Sequence, residues 1–320
     1  MSSFHSGFVS ILGRPNAGKS TLLNALVGEK VAIVTRKPQT TRHRILGMVN
    51  VKARKGRSAG QIVLLDTPGV HKADSPHGKR MMQEVYDALE GRDLLLLLMD
   101  ATKEYGTGDE FVLELVRQSQ KNTPGPVFLL LNKVDALPKS ELLPIIEAYN
   151  ERFKFDAIIP ISALKADGFD VLLDRIMSAL PQGPRYFPKD QLSDQPERIL
   201  ASEIVREKVL MMAGQEVPYA TAVAVEEWEQ NSKLTRIGAV IYCEREGQKA
   251  ILIGKQGSML KRIGTMARHE LERRLGTKVF LQLFIKVVPD WRRSRKMLDE
   301  LDWRNQLSAL ATSKHADEKQ

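Results

Sequence analysis

The chain has a single cysteine, Cys243, which excludes an internal disulfide framework and a cysteine-rich metal site and leaves buried packing in a strand as its expected role. It also lacks any apolar run near the roughly 20 residues that span a bilayer. The run Leu94 to Met99 has six residues and reads as a strand. No basic, apolar and small-residue series opens the sequence, so secretion is not expected. No internal repeat is present either. What is present is 320 residues, 42% hydrophobic and 27% charged, enough for two domains that each bury a core. The stretch from Pro181 to Pro196 contains four prolines and is the natural boundary. Residues 1–181 are therefore expected to form one domain, 182–196 a linker, 197–300 a second domain and 301–320 a tail.

Positive charge is in excess by +9, and it is concentrated. Residues 249–296 hold 13 basic and 3 acidic side chains, so this stretch carries +10 and the remainder about −1. Such a concentration suits a polyanion-binding surface, because each neutralised phosphate releases counterions.

Four short segments in the first half each follow an apolar run. Gly13, Arg14, Pro15, Asn16, Ala17, Gly18, Lys19, Ser20 and Thr21 fit G-x-x-x-x-G-K-[ST] after the strand-like Phe8 to Leu12, and a helix is expected from Lys19 to Val27. Glycines here let backbone N–H groups and the positive helix end face phosphate oxygens. Lys19 supplies a point charge to the β- and γ-phosphates, and the Ser20 hydroxyl can ligate Mg²⁺. Asp66, Thr67, Pro68 and Gly69 follow the strand Gln61 to Leu65. The Asp66 carboxylate then lies at the carboxyl edge of a parallel sheet, where it can hold Mg²⁺, and the Gly69 N–H can meet the γ-phosphate.

Asn132, Lys133 and Asp135 follow the strand Val127 to Leu131. The carboxylate of Asp135 can accept from guanine N1–H and the N2 amino group, whereas adenine would leave it unpaired, a difference worth roughly 10⁴ in selectivity. Asn132 either reaches N7 or ties its loop to the phosphate loop, and the Lys133 stem covers the base. Ser162, Ala163 and Leu164 follow the strand Ala157 to Ile161 and can offer a backbone N–H to the guanine carbonyl.

These four segments resemble the translation-factor class of GTPases, and G-R-P-N-A-G-K-S-T together with Q-T-T-R at Gln39 to Arg42 resembles its TrmE-Era-EngA branch. That resemblance implies that Thr41, rather than its neighbour Thr40, completes the Mg²⁺ shell. Ras-like enzymes carry a water-orienting glutamine after the D-x-x-G motif. Here the residue is Val70, which cannot hydrogen-bond water. The resemblance implies a K⁺ ion held by Asn16 in place of an arginine finger, the alternative being that Asn16 only shapes the loop.

In the basic stretch, Gly254, Lys255, Gln256 and Gly257 form a G-x-x-G turn before a helical pattern with Leu260, Ile263, Ala267, Leu271 and Leu275 on one face. Glycines at both ends of the turn admit a nucleic-acid backbone, with Lys255, Lys261 and Arg262 beside it. A helix at 198–212 and strands at 221–228, 236–244 and 278–288 surround this turn in an order that resembles a type II KH domain. The segment 248–253 reads either as a short helix or as a strand. Trp291, with Arg292, Arg293, Arg295 and Lys296, either stacks on a ligand or caps the core.

The expected architecture is thus an α/β P-loop domain, a mostly parallel sheet flanked by helices, followed by an α+β type II KH domain. Ala201 to Val209 and Val217 to Tyr219 extend the resemblance over essentially the whole chain. The resemblance implies a monomeric GTP/GDP switch that hydrolyses GTP with Mg²⁺ and K⁺ and binds the 3′ end of 16S ribosomal RNA. It further implies a role in 30S subunit assembly, and a cytoplasmic protein with peripheral association to the inner membrane. The rival readings are an RNA-binding module with a structural nucleotide, a metabolic P-loop phosphotransferase, and an RNA-modification GTPase of the same branch.

Overall fold

The structure, a computed structural model, describes residues 4–70, 75–214, 217 and 220–302. Pro218 and Tyr219, and the expected tail from 303 onward, lie outside the described residues. The chain divides into two compact units, Met1–Lys72 with Arg80–Gln195, and Ala73–Lys79 with Pro196–Gln320.

In the first unit, which takes in α2 from Arg80 onward, the elements run β1 (His5–Leu12), α1 (Lys19–Val27), β2 (Ile45–Val51), β3 (Gly60–Asp66), α2 (Pro76–Glu90), β4 (Leu94–Asp100), α3 (Thr107–Asn122), β5 (Val127–Asn132), α4 (Leu142–Arg152), β6 (Ala157–Ile161) and α5 (Phe169–Ala179). The sheet order is β2-β3-β1-β4-β5-β6, with only β2 antiparallel to its neighbour. Central strands of such a sheet are covered on both faces, so their side chains form unbroken apolar runs. Val9, Ile11, Leu64, Leu96, Leu98 and Leu130 accordingly share one core. The parallel register aligns Ile11 with Asp66 and Asp100 with Asn132, so the loops that follow gather along one sheet edge.

Residues 182–195 form no helix and lie along this unit. The Met48 N–H donates to Leu192 O at 3.0 Å and the Leu46 N–H to Asp194 Oδ1 at 3.0 Å, which covers the outer edge of β2.

The second unit runs α6 (Glu197–Met212), β7 (Ala222–Gln230), β8 (Leu234–Cys243), α7 (Glu246–Ile253), α8 (Ser258–Leu275), β9 (Lys278–Val287) and α9 (Arg295–Glu300). β8 is central, antiparallel to β7 and parallel to β9. Ile204 and Val205 of α6, Ala239, Ile241 and Cys243 of β8, and Ile263, Ala267 and Leu271 of α8 share its core. The segment whose helix or strand character was open is helical: Gln248 Oε1 accepts the N–H groups of Glu244 and Arg245 at 2.8 and 3.1 Å, capping the start of α7. Trp291 is 1% exposed, donates from Nε1 to Ala220 O at 2.9 Å and packs with Val240 and Tyr242. It therefore caps the core and is not free to stack.

Candidate functional site

The phosphate loop is held by close approaches that only glycine permits. A Cβ on Gly13 would lie 2.4 Å from the Leu98 carbonyl oxygen, and Gly18, at φ 105°, passes so near Asn132 that a Cβ would meet Nδ2 at 2.3 Å. Asn16 also takes a left-handed conformation, φ 64°, and its Nδ2 donates to Arg36 O at 3.0 Å. Arg14 turns away from the loop to pair with Asp109 Oδ2 at 2.8 Å. Lys19 is buried and its Nζ donates to the carbonyls of Gly13 and Arg14, each at 3.0 Å. A cleft of about 440 Å³ opens in front of this loop, lined among others by Pro15, Thr21, Thr41, Gly69 and Lys133.

Three oxygen-bearing side chains converge beneath Lys19. Ser20 Oγ donates to Asp66 Oδ2 at 2.7 Å and lies 2.8 Å from Thr41 Oγ1, which itself donates to Asp66 Oδ2 at 3.3 Å. Thr40 also lines the cleft, but its hydroxyl donates to Lys37 O at 2.7 Å. Asp66 Oδ1 is buried with no hydrogen-bond partner among the described residues. Burial raises the Asp66 carboxyl above the ordinary carboxylate range, against the pull of Lys19 and the hydrogen bonds from Ser20 and Thr41. Burial also lowers Lys19 to about 8, with Asp66 opposing. Two groups shifted in this way, with one carboxylate oxygen held by two hydroxyls and the other unpartnered, fit a hard cation and an anion that would complete them.

The D-T-P-G segment is closed onto the phosphate loop. A Cβ on Gly69 would lie 2.8 Å from Pro15 Cα, and the N–H of Val70 donates to Gly13 O at 3.1 Å. Pro68 is buried in this turn. Thr67 points into the core, its Oγ1 donating to Ile11 O at 2.8 Å, so its side chain does not face the cleft. Val70 is buried and apolar, which leaves no side-chain group there to orient water.

Behind the phosphate loop Asn132 acts as a tie; of the residues after β5 and β6 named in the sequence, only Lys133 lines the cleft. Its Nδ2 donates to Ala17 O at 2.7 Å while its Oδ1 accepts the Ala163 N–H at 2.9 Å, joining the phosphate loop to the loop after β6. That N–H is thereby engaged by protein. Ser162 is buried and its Oγ accepts the Lys165 N–H at 3.1 Å, while Leu164 is solvent-exposed. Lys133 sits at φ 69° and its Nζ reaches Asp100 Oδ2 at 2.5 Å. Asp135 lies in the turn Val134–Ala136, with Lys165 Nζ 4.0 Å from its carboxylate.

Two carboxylates that sequence reasoning passed over support this frame. Asp100, the last residue of β4, holds Lys133 and also accepts from Thr102 N and Oγ1 at 3.1 and 2.6 Å. Although burial works the other way, the hydrogen bonds from Lys133 and Thr102 keep its carboxyl below the usual range. Its signal was an acidic residue ending an apolar run, as at Asp66. Asp109 holds Arg14 and caps α3 through the Gly106 N–H at 3.0 Å.

In the second unit the G-x-x-G turn separates α7 from α8. Gly254 (φ 71°), Gln256 (φ 52°) and Gly257 (φ 77°) all lie in the left-handed half of backbone space, and a Cβ on Gly254 would meet Met259 Cβ at 2.6 Å. Lys255, Gln256, Lys261 and Arg262 are exposed around it. Behind the turn a groove of about 410 Å³ runs between α8 and β9, lined by Leu260, Lys261, Gly264, Leu281 and Leu283. The turn, an apolar floor and flanking cations thus share one surface.

Comparison with known proteins agrees with both halves. Residues 8–133 match the family described as 50S ribosome-binding GTPase, and residues 216–292 match the KH domain. GTPase Era of Ruminiclostridium cellulolyticum is 46% identical over 303 residues, covering 94% of this chain and 98% of that protein. GTPase Era of Geobacter metallireducens is 48% identical over 302 residues, again with 94% and 98% coverage. Among solved structures, Era in complex with MgGDPNP and nucleotides 1506–1542 of 16S ribosomal RNA is similar with a TM-score of 0.88, at 39% identity over 94% of this chain and 99% of that one. Aquifex aeolicus Era bound to GDP·AlF4− matches with the same score, identity and coverage.

Proposed function

The chain belongs to the GTPase Era family and is a GTPase with a KH domain, and from that premise we propose that it binds the 3′ end of 16S ribosomal RNA and uses GTP hydrolysis to time a step of 30S subunit assembly. The observation that carries this reading is the Ser20–Thr41–Asp66 oxygen cluster under a buried Lys19 in a chain that also presents a G-x-x-G turn beside cations. Structures of Era with MgGDPNP and 16S ribosomal RNA, and with GDP·AlF4−, support it.

In the proposed pocket Lys19 exchanges the carbonyls of Gly13 and Arg14 for phosphate oxygens, and Asp135 reads the guanine edge while the Lys133 stem lies along the base. Ser20, Thr41 and Asp66 would hold Mg²⁺, which neutralises phosphate charge when bound. Asn16, whose amide nitrogen is committed to Arg36, would turn its oxygen toward K⁺. Water adds to the γ-phosphorus as the bond to the β–γ bridging oxygen breaks, GDP leaves with the electron pair, and the water proton ends on inorganic phosphate. With Val70 beside the reacting water, intrinsic turnover is slow. Lys255, Lys261 and Arg262 take RNA phosphates around Gly254 and Gly257. The family resemblance also supports a cytoplasmic monomer with peripheral attachment to the inner membrane. Among the described residues no helix is long and apolar enough to cross a membrane.

GTP turnover measured in KCl and in NaCl, with and without a short RNA copying the 3′ end of 16S ribosomal RNA, tests the reading. RNA is expected to raise turnover, and K⁺ to support it better than Na⁺. Equal rates with and without RNA would reject the timing role, and equal rates in the two salts would reject the Asn16 assignment.

A further inference from the structure

β9 is the terminal strand of its sheet, and its two faces differ. Leu281, Leu283 and Ile285 pack against the core. On the opposite face Phe280 is 48% and Phe284 55% exposed, with Gln282 between them and exposed Lys278 and Lys286 at the two ends. The strand register sets Arg236, Gly238 and Val240 of β8 beside Phe280, Gln282 and Phe284. Arg236 is exposed, and its guanidinium carbon stands 5.8 Å from the centre of the Phe280 ring. The cluster of Trp291 and Leu298 covers Ala222, Ala224, Val240 and Tyr242 on this side of the sheet, while the two rings remain open.

Two large aromatic side chains left in water forgo the stabilisation that burial would bring. Four residues apart on a strand, they are separated by about 13 Å, a span of roughly two extended nucleotides. The flanking groups on β9 are cations; of the β7 carboxylates, Glu227 reaches over Gly238 of β8 and Glu229 stands opposite Arg236. A polyanion would therefore follow β9 and be turned away from β7. Gln282 and the unpaired edge of β9, which faces no further strand among the described residues, offer polar groups to bases.

We infer that the outward face of β9, with Phe280 and Phe284 as stacking platforms and Arg236, Lys278 and Lys286 as phosphate contacts, is a second single-stranded RNA track. It takes nucleotides that continue past the groove on the strand's inner face. The inference rests on the RNA-binding reading of the G-x-x-G turn. Stacking on an aromatic side chain tolerates any base, so the track extends the footprint without adding much sequence selectivity.

Fluorescence anisotropy on the full chain tests it with two labelled RNAs copying the 3′ end of 16S ribosomal RNA, a short one of about four nucleotides and one about six longer. Wild type should bind the longer RNA more tightly. The Phe280→Ala, Phe284→Ala double variant should lose that advantage, on the order of tenfold per ring, while binding the short RNA as wild type does. Phe280→Leu with Phe284→Leu, which keeps apolar bulk, should lose it as well, and abasic substitution of the added nucleotides should weaken wild type but not the double variant. Unchanged affinity of both double variants for the longer RNA would overturn the track and assign the face to a protein partner. An equal loss on both RNAs would overturn it too, because the rings would then serve the groove or the fold. Failure of the underlying reading looks different: Gly254→Asp with Gly257→Asp would leave the short RNA bound as before.

Discussion

Burial moves the two ionisable groups of the phosphate site in opposite directions, Lys19 down to about 8 and Asp66 up. Below that value Lys19 is charged and ready for phosphate. Above it the empty site holds a neutral amine, and binding a triphosphate must take up a proton. Apparent GTP affinity should therefore fall several-fold between about pH 7 and about pH 9, with uptake approaching one proton at the higher value. Calorimetry in buffers of different ionisation heat measures that uptake, and none at either pH would refute the shift. Asp100 offers a second test. It pins Lys133 Nζ at 2.5 Å, so Asp100→Asn should weaken GTP binding by about tenfold and leave turnover at saturating GTP unchanged. Nucleotide titration and steady-state rates separate the two effects, and an unaltered dissociation constant would show that Lys133 holds its place unaided. The partners of Asp100 and Asp109 are not legible in the sequence. Each finds its partner on another loop, Lys133 lying 33 and Arg14 95 positions away, and local pattern carries no record of such pairings.

Strands and helices were the most readable level, because apolar runs between turn formers imply buried strands whatever their neighbours. The helix expected from Lys19 to Val27 has those bounds, and β6 runs from Ala157 to Ile161 as read. The segment 248–253 was ambiguous since three consecutive apolar residues suit either period, and the cap supplied by Gln248 settles it as helix. The proline-rich stretch shows the limit of composition. Its prolines argue against regular structure but say nothing of where it packs, and residues 182–195 lie along β2 and β3. Gln61, fully buried in β3, holds them there: its Oε1 accepts the N–H groups of Tyr186 and Phe187 at 2.9 and 3.0 Å, and its Nε2 donates to Phe187 O at 2.9 Å. Gln61→Ala would leave those partly buried groups without this partner and should cost about 1–3 kcal/mol, read as a lower urea midpoint for unfolding of the first unit. A change within error would mean that solvent replaces the amide.

At the level of the chain, each unit carries a complete set of parts. The residues of the nucleotide cleft all belong to the first unit and the G-x-x-G turn to the second. Gly254→Asp with Gly257→Asp should therefore abolish RNA binding yet leave basal GTP turnover at the wild-type rate. A matching loss of turnover would show that the turn supports the first unit's chemistry. Which residue types stand in each loop, and hence that the chain is a GTPase joined to a KH domain, could be read from the linear order, because motif spacing is covalent and short. Folding alone chose Thr41 over Thr40 as the partner of Asp66, sent Trp291 inward, made Asn132 a tie between two loops and left Phe280 and Phe284 facing out. Those outcomes depend on strand order and register, which bring together groups far apart in the chain and which no local stretch of residues specifies.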